Sequence, residues 1–542
     1  MVKIMDKKIL IGGAVVLVVL IAAAFMFMGG SSDSDPTHLT VAAHSNIKEP
    51  EAGFNPLTGW GCGHQNYNPL VQSCLFKTDK NGTIVPDLAT NYSISDDGKT
   101  WTVNVRDDVK FSDNSTFDAE DVAFTFNTGR DTESEIDLTN IENVTAKNST
   151  CVEFKLVEPR STFIYDLRYV GIVPSDSYDN ETYGANPIGT GPYVLDHWDK
   201  GQQAIFKIND NYYGDKPYFT QITLLFPEEA TWLELAKSGQ VDVVPVATSS
   251  LNQTVDGYQF YQVSAGRAQG ISFPYLNDTG LTSPAGSKIG NNVTADHAIR
   301  EALNVGVNRQ KMCDEIFSGH ATPEYTSVDT RDYANPDAKV NDSNVDGAKQ
   351  ILKDGGWTDT DGDGIVEKDG VKASFDLYYP PDYLDRQSLA TVFAEQAKEI
   401  GIEVNLKGAD WDTIYQNMYS SPAVMQQTSP DPYKSIYQQY YSKEPDDFYM
   451  NPGLYNNTES DALMKQAMAT TDLSQADSLW AESALVNGGG WGPAGDAPFA
   501  WLVNYDYNYF IKDNIDIGEQ PNGLGNDVLI NVVDWTRTNS TA

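Results

Sequence analysis

The sequence predicts an α/β body behind an N-terminal membrane-spanning helix, and three observations carry that prediction. Residues 9–28 form an uncharged apolar run, and beyond it short β-rich segments alternate with stretches of helical spacing. The body that follows, roughly 500 residues, has enough chain to bury a large core without staples.

The apolar run, Ile9 to Met28, is preceded by Lys3, Lys7 and Lys8 and followed by the polar linker Gly29-Gly30-Ser31-Ser32-Asp33-Ser34-Asp35. Twenty helical residues at about 1.5 Å each cross a hydrocarbon core of about 30 Å, and the lysines hold the N-terminus in the cytoplasm. The body then faces outward, extracellular or periplasmic. The competing reading is a leader cleaved near Ala22-Ala23-Ala24. No cysteine stands beside Gly29-Gly30 to accept a lipid, which excludes a lipoprotein anchor.

Strands are predicted at Leu39–Ala43, Thr100–Val105, Cys151–Leu156, Ile222–Phe226 and Ser374–Tyr378, each alternating or β-rich and bounded by polar turns. Helical spacing marks Ala119–Asn127, Ala230–Lys237, Ala295–Val305, Asp346–Lys353, Gln387–Ile400 and Ser460–Ala469. Asp118 is placed to cap the first of these helices, and Asp97-Gly98 is a hairpin signal ahead of the strand at Thr100.

With 76 acidic against 37 basic side chains the formal charge is -39, which repels nucleic acid and anionic lipid. Four cysteines in 542 residues are no disulfide framework. Cys74 and Cys151 lie in apolar, strand-like surroundings as core thiols or one bridge. Sequons at Asn81, Asn114, Asn143, Asn148, Asn252 and Asn292 open the body to surface glycosylation, or Asn and Thr merely populate its loops.

The order of motifs is specific. Pro86-Asp-Leu-Ala89, then Ser95-Asp-Asp-Gly-Lys-Thr-Trp-Thr-Val-Asn-Val-Arg106 and Phe117-Asp-Ala-Glu-Asp-Val122, are followed by Asn186-Pro-Ile-Gly-Thr-Gly-Pro-Tyr193. Leu235-Ala-Lys-Ser-Gly-Gln-Val-Asp242, Gly355-Gly-Trp357 and Ile400-Gly-Ile-Glu-Val404 come later. This series resembles the family 5 extracellular solute-binding proteins, which deliver peptides or nickel complexes to ABC importers, over about residues 39 to 540. The resemblance implies a two-lobed periplasmic-binding-protein type II fold in its three-subdomain variant, closing on a solute between the lobes. Its expected limits are a helix at 1–28, a linker at 29–38, lobe I with an inserted subdomain at 39–275, lobe II at 276–504, and a C-terminal return to lobe I at 505–542. It also implies permease subunits as partners, a monomer, no catalysis and no required cofactor.

The pocket is where members differ. In nickel-binding relatives the segment after the first strand lines the site, and here it carries Gly59-Trp60-Gly61-Cys62-Gly63-His64 and Tyr67. Imidazole and thiolate in a Gly loop are ligands suited to Ni²⁺, Cu²⁺ or Zn²⁺, although a loop histidine bonded to backbone reads the same way. In the segments Trp411–Tyr415 and Ser429–Tyr433, Tyr415 falls where those relatives have a pocket tyrosine and Asp431-Pro432, just before Tyr433, matches their Asp-Pro. Peptide-binding relatives place an aspartate just before that pair to hold the peptide ammonium, where Thr428 stands here after Gln426 and Gln427. Where some nickel-binding relatives put a metal-ligating histidine, this chain reads Glu444-Pro445-Asp446-Asp447. A metal captured as a small chelate therefore fits better than a bare ion, with Arg130 and Arg168 on the chelator's carboxylates. Surface or inter-lobe ion pairs are the alternative for both arginines.

Asp359, Asp361 and Asp363, followed by Gly364, satisfy the first half of an EF-hand-like loop, but Gly370 replaces the final bidentate glutamate. Any calcium there is weakly held, and a structural turn is the favoured reading. The sequence has no Gly-x-Ser-x-Gly, His-Glu-x-x-His or Walker motif. The readings, in order, are a receptor for nickel or another transition metal as a chelate, a di- or oligopeptide receptor of the same class, and a surface hydrolase.

Overall fold

The computed structural model describes residues 35–44, 49–50, 53–58, 70–132, 137–443, 451–521 and 528–538. The anchor at 1–28, together with Trp60, Cys62, His64 and Tyr67, lies outside the described residues. Among those described, no helix is long and apolar enough to cross a membrane.

Two large sheets organise the body. The first has seven strands, in the spatial order Tyr258–Val263, Tyr507–Lys512, Val243–Pro245, His38–Ala42, Gln221–Leu225, Gln203–Ile208 and Tyr193–Asp199. The second has six: Ala321–Pro323, Phe499–Tyr505, Ala268–Ser272, Ala423–Gln427, Ser374–Tyr379 and Glu403–Gly408. Between the first sheet's His38–Ala42 and Tyr193–Asp199 the chain makes a four-stranded antiparallel sheet of residues 89–156, with the helix Ala119–Asp131 packed on it. This is the inserted subdomain. The C-terminal strand Tyr507–Lys512 returns to the first sheet between Val243–Pro245 and Tyr258–Val263.

Local chemistry accounts for these elements. The strand Thr100–Val105 alternates fully buried Trp101, Val103 and Val105 with partly exposed threonines and asparagine, so one face packs and the other meets water. Its hairpin partner Ala89–Ile94 arrives through a turn in which Gly98 has φ +70°, a conformation open to glycine without a Cβ penalty. Asp118 closes a capping box on the helix Ala119–Asp131: its carboxylate accepts from Glu120 N–H, and Asp121 accepts from Asp118 N–H at 3.0 Å. The helix Leu384–Glu399 buries Leu389, Ala390, Phe393 and Ala397 on one stripe.

The chain passes between the large sheets twice, through residues 264–267 and through Asp506, and the two crossings lie side by side. Asp506 Oδ1 accepts Ala265 N–H at 3.1 Å, and Tyr505 N–H donates to Arg267 C=O at 3.1 Å. The first crossing precedes residue 275, the expected end of lobe I. Beside it one apolar cluster runs unbroken from Ala42, Leu225 and Trp232 of the first lobe into Ile299, Leu303, Phe375 and Phe393 of the second.

The Gly189-Thr-Gly191-Pro192 turn has a packing reason. A Cβ on Gly189 would stand 1.9 Å from Val71 O, and one on Gly191 would stand 2.5 Å from Leu70 O. Backbone on both sides must yield for any side chain to enter. Gly189→Ala is therefore expected to lose about 1–3 kcal/mol in chemical denaturation, by overpacking. Gly201→Ala, at φ +75° with nothing within 4 Å of its Cβ, should lose only about 1 kcal/mol or less from its backbone conformation. Equal losses at the two sites would refute close approach as the reason for Gly189.

Candidate functional site

At the crossing strands a charged cluster joins the lobes. Arg267 is buried, and its guanidinium lies 5.5 and 5.4 Å from the ring centroids of Tyr505 and Tyr507. Arg267 Nη2 donates to Asp385 Oδ2 at 3.2 Å, an oxygen that also accepts from Gln269 Nε2 at 2.9 Å. Burial alone would raise the Asp385 carboxyl, but Arg267, Gln269 and Arg386 more than offset it and hold the group below the usual range. Gln426 Oε1 accepts from Arg267 Nε at 2.8 Å and from Arg386 Nη2 at 3.0 Å. Arg386 packs between aromatic faces, 4.7 Å from Tyr383 and 5.1 Å from Trp411. The first lobe contributes Tyr507 and His44, whose rings meet edge to face at 4.7 Å, and His44 also packs on Trp232 at 5.0 Å. Burial, with Arg267 adding to it, keeps His44 well below the usual imidazole range and hence neutral.

A second charged cluster also links the two lobes. Arg160, buried in the inserted subdomain, lies 2.9 Å from Asp166 and 3.4 Å from Asp431 of the second lobe, and its guanidinium stacks 4.1 Å from the Tyr433 ring. Ser161 adds two crossings, N–H to Met468 O at 2.8 Å and hydroxyl to Ala467 O at 2.7 Å. Lys434 lies over Tyr169 at 5.2 Å. Two buried carboxylates thus share one guanidinium. Burial, set against Arg160 and reinforced by Asp431, pushes Asp166 up to about 6, and burial raises Asp431 too.

The structure sorts the residues singled out in the sequence. Trp411 and Tyr415 stack on the helix Trp411–Asn417 with centroids 5.5 Å apart, and Trp411 reaches Arg386. Asp431 and Tyr433 meet at Arg160. Arg168 is buried, donates to the Thr78 hydroxyl at 3.0 Å, stacks on Tyr165 and lowers the Asp431 carboxyl by its charge. Arg130 does not join them. Its Nε and Nη2 bind both oxygens of Asp131, and its Nη1 donates to Glu142 O, an ion pair made within the subdomain. Sequence reading missed Arg160, Arg267, Asp385, Arg386 and His44. Arg386 had left a signal, being a charged residue on the apolar stripe that continues through Leu389, Ala390 and Phe393.

Thr428, at the place of the ammonium-binding aspartate, lies in a turn held by Gln427, whose Oε1 accepts Thr428 N–H at 2.9 Å and Ser429 N–H at 2.7 Å. The carboxylate that follows, Asp431, is spent on Arg160.

The Asp-rich loop is a turn with its own counter-charge. Asp359, Asp361, Asp363 and Glu367 converge, but Asp359 accepts the Gly362 and Gly364 N–H groups, Glu367 accepts from Thr360, and Lys372 pairs with Asp361 and Asp363. Nothing beyond this acidic cluster points to calcium. Cys74 and Cys151 are both free, so the bridge considered for them does not form, and Cys313 is a buried thiol.

A profile described as bacterial extracellular solute-binding proteins, family 5 Middle, matches residues 83–460. The chain is 29% identical to the nickel-binding periplasmic protein of Escherichia coli over 430 residues, covering 76% of this chain and 80% of that one. It is 27% identical to the oligopeptide-binding protein AppA of Bacillus subtilis over 456 residues, covering 79% and 81%. The fold matches that of NikZ from Campylobacter jejuni, solved in complex with Ni(L-His), with a TM-score of 0.74 and 21% identity over 93% of this chain and 100% of that one.

The Arg160 cluster makes stability depend on pH. Folded Asp166 holds its proton up to about pH 6, whereas the unfolded chain releases it near 3.8. Between those values the folded state binds more protons, so this contribution is full below about pH 4 and is lost as pH rises through about 6. Asp166→Asn should remove the loss. Relative to wild type the variant is expected to gain about 1–3 kcal/mol at pH 7.5 and little at pH 4.5 in urea unfolding. A difference that is flat with pH, or that grows toward low pH, would show that Asp166 is ionised throughout.

Proposed function

The chain belongs to the bacterial extracellular solute-binding proteins of family 5, and from that premise we propose that it captures nickel or another transition metal as a small organic chelate. Family and fold are those of the solute-binding proteins of ABC importers, not of enzymes, which removes the surface-hydrolase reading. The partners are then the permease subunits of an importer, and the protein acts as a monomer held at the membrane by the Ile9–Met28 segment, with its body outside. The sequon asparagines Asn81, Asn114, Asn143, Asn148, Asn252 and Asn292 are all exposed, which suits glycosylation there.

One observation favours a chelate over a peptide. At the turn where peptide-binding relatives are expected to hold an ammonium, the carboxylate present is Asp431, already paired with Arg160, and Thr428 offers no charge. A peptide's free ammonium would give up its hydration there for no anionic partner, at a cost of several kcal/mol. A chelate has no such group to satisfy, because its amines are bound to the metal. Its carboxylates instead need cationic donors. The similarity to AppA supports the peptide reading as the second choice.

Calorimetry on protein stripped of solute should show uptake of a Ni²⁺ chelate and no heat with unmodified dipeptides. Small-angle scattering should show the radius of gyration falling on saturation, because a site between two lobes binds their closed arrangement better than the open one. Tight dipeptide binding without metal would promote the peptide receptor. An unchanged radius at saturation would argue against a hinged receptor of either kind.

A further inference from the structure

Charge does not balance at the crossing strands. Arg267 and Arg386 are both buried, and Asp385 is the carboxylate between them. Its Oδ2 is taken by Arg267 and Gln269, and its Oδ1 accepts the backbone N–H of Arg386 at 2.9 Å. For its side chain Arg386 is left with a neutral acceptor, Gln426 Oε1, and shares even that with Arg267.

Arg386 is 7% exposed, yet among the described residues its Nε and Nη1 have no hydrogen-bond partner. An unpaired buried donor on a charged group is costly, and a guanidinium cannot escape by giving up its proton. Burial and the neighbouring Arg267 both oppose its charge, and Asp385 offsets them only in part. The group is also held still. Tyr383 and Trp411 stack on it, and Gln426 fixes Nη2, so little side-chain entropy remains to be lost when a partner arrives. Arg386 shares Gln426 with Arg267, whose guanidinium lies 5.4 Å from the Tyr507 ring of the first lobe, which puts the cluster beside the junction of the lobes.

We propose that Arg386 is the carboxylate-binding residue of this receptor: a carboxylate on the solute accepts hydrogen bonds from the Arg386 donors that the protein leaves unpaired, flanked by Tyr383 and Trp411. The inference rests on the solute-binding reading and adds the class of solute, one carrying at least one carboxylate. It holds for a chelate of an amino acid and for a peptide's C-terminus alike. Neutral ligands and those without an anionic group are excluded, because they leave the buried charge unmatched.

The test uses two matched pairs of probes, each measured by calorimetry on stripped wild-type protein, Arg386→Gln and Arg386→Lys. One pair is Ni²⁺ with L-histidine against Ni²⁺ with histamine, which keeps the imidazole and amine and lacks the carboxylate. The other is trialanine against its C-terminal amide. Wild type should prefer the carboxylate member of a pair by roughly tenfold to a hundredfold, the range of a charge-assisted hydrogen bond. Arg386→Gln should lose that preference and Arg386→Lys recover part of it. Without solute, Arg386→Gln should melt at or above the wild-type temperature, since it removes an unpaired buried charge, whereas a residue serving structure alone would lower it.

The outcomes separate the two proposals. Nickel binding that is equal with and without the carboxylate overturns the role of Arg386 and leaves the chelate reading intact. A carboxylate preference in the peptide pair with no binding of either nickel probe overturns the chelate reading and leaves Arg386 in its role. No preference in either pair, no binding in either pair, or an Arg386→Gln variant that keeps the preference each overturns the inference.

Discussion

The paired crossing at residues 264–267 and Asp506 is the constraint on which the rest depends. Two strands that leave one sheet and enter another could do so far apart, and the lobes would then be locked at two points. Here they run together, joined by Asp506 to Ala265 and by Tyr505 to Arg267. Adjacent crossings define a single axis, so rotation of one lobe on the other need disturb only a few backbone torsions. The apolar cluster from Trp232 to Phe393 continues across the junction and gives that rotation a packed floor. Arg267 stands at the crossings, with its guanidinium near the Tyr505 and Tyr507 rings.

Away from the axis the contacts are of another kind. Arg160 with Asp166 and Asp431, the two Ser161 hydrogen bonds, and Lys434 over Tyr169 tie the inserted subdomain to the second lobe. They bridge the two lobes by noncovalent contacts rather than by the chain itself. Their energetics are modest by construction. Two carboxylates on one guanidinium repel each other, and a buried pair gains little net free energy once its desolvation is counted. Such a contact sets the register of the two lobes at little net gain in free energy.

Much of this fold was legible in the sequence, for reasons that differ from element to element. The strands Thr100–Val105 and Cys151–Leu156 were placed to the residue, because strict alternation bounded by turns leaves little freedom in register. The capping box at Asp118 and the hairpin at Asp97-Gly98 were read from local chemistry that acts over three or four residues. The strand Phe499–Tyr505 was not, since burial of all seven residues erases the alternation that marks a strand. The site was harder to read. Trp411 and Tyr415 were singled out and do stack beside Arg386, while Arg130 takes the ion-pair alternative, because nothing in a sequence says whether an arginine's donors end on a neighbour such as Asp131 or face a cleft. Arg267, Asp385 and Arg386 form a group only through the sheet that brings Gln269 and Gln426 beside them, a proximity across more than a hundred residues of chain.

Charge is distributed in a way that bears on what can reach this site. The chain carries a net -39, yet among the described residues the buried charges are even: six arginines (160, 168, 267, 300, 309 and 386) against six acids (121, 166, 242, 324, 385 and 431). Among the described residues the excess acid is therefore outside the core. There it sets a negative potential that falls off over about 8 Å in physiological salt and disfavours the approach of polyanions while drawing cations inward. Arg386, screened from that field by burial, asks for the opposite sign at contact. A solute that satisfies both requirements carries little net negative charge overall and still presents a carboxylate. Amino acid chelates of a divalent metal meet those terms, since the metal offsets the charge of the ligand's carboxylate, which keeps an oxygen lone pair free for a guanidinium. Zwitterionic peptides meet them as well, and it is the ammonium, with no open carboxylate at the Thr428 turn, that sets the two classes apart.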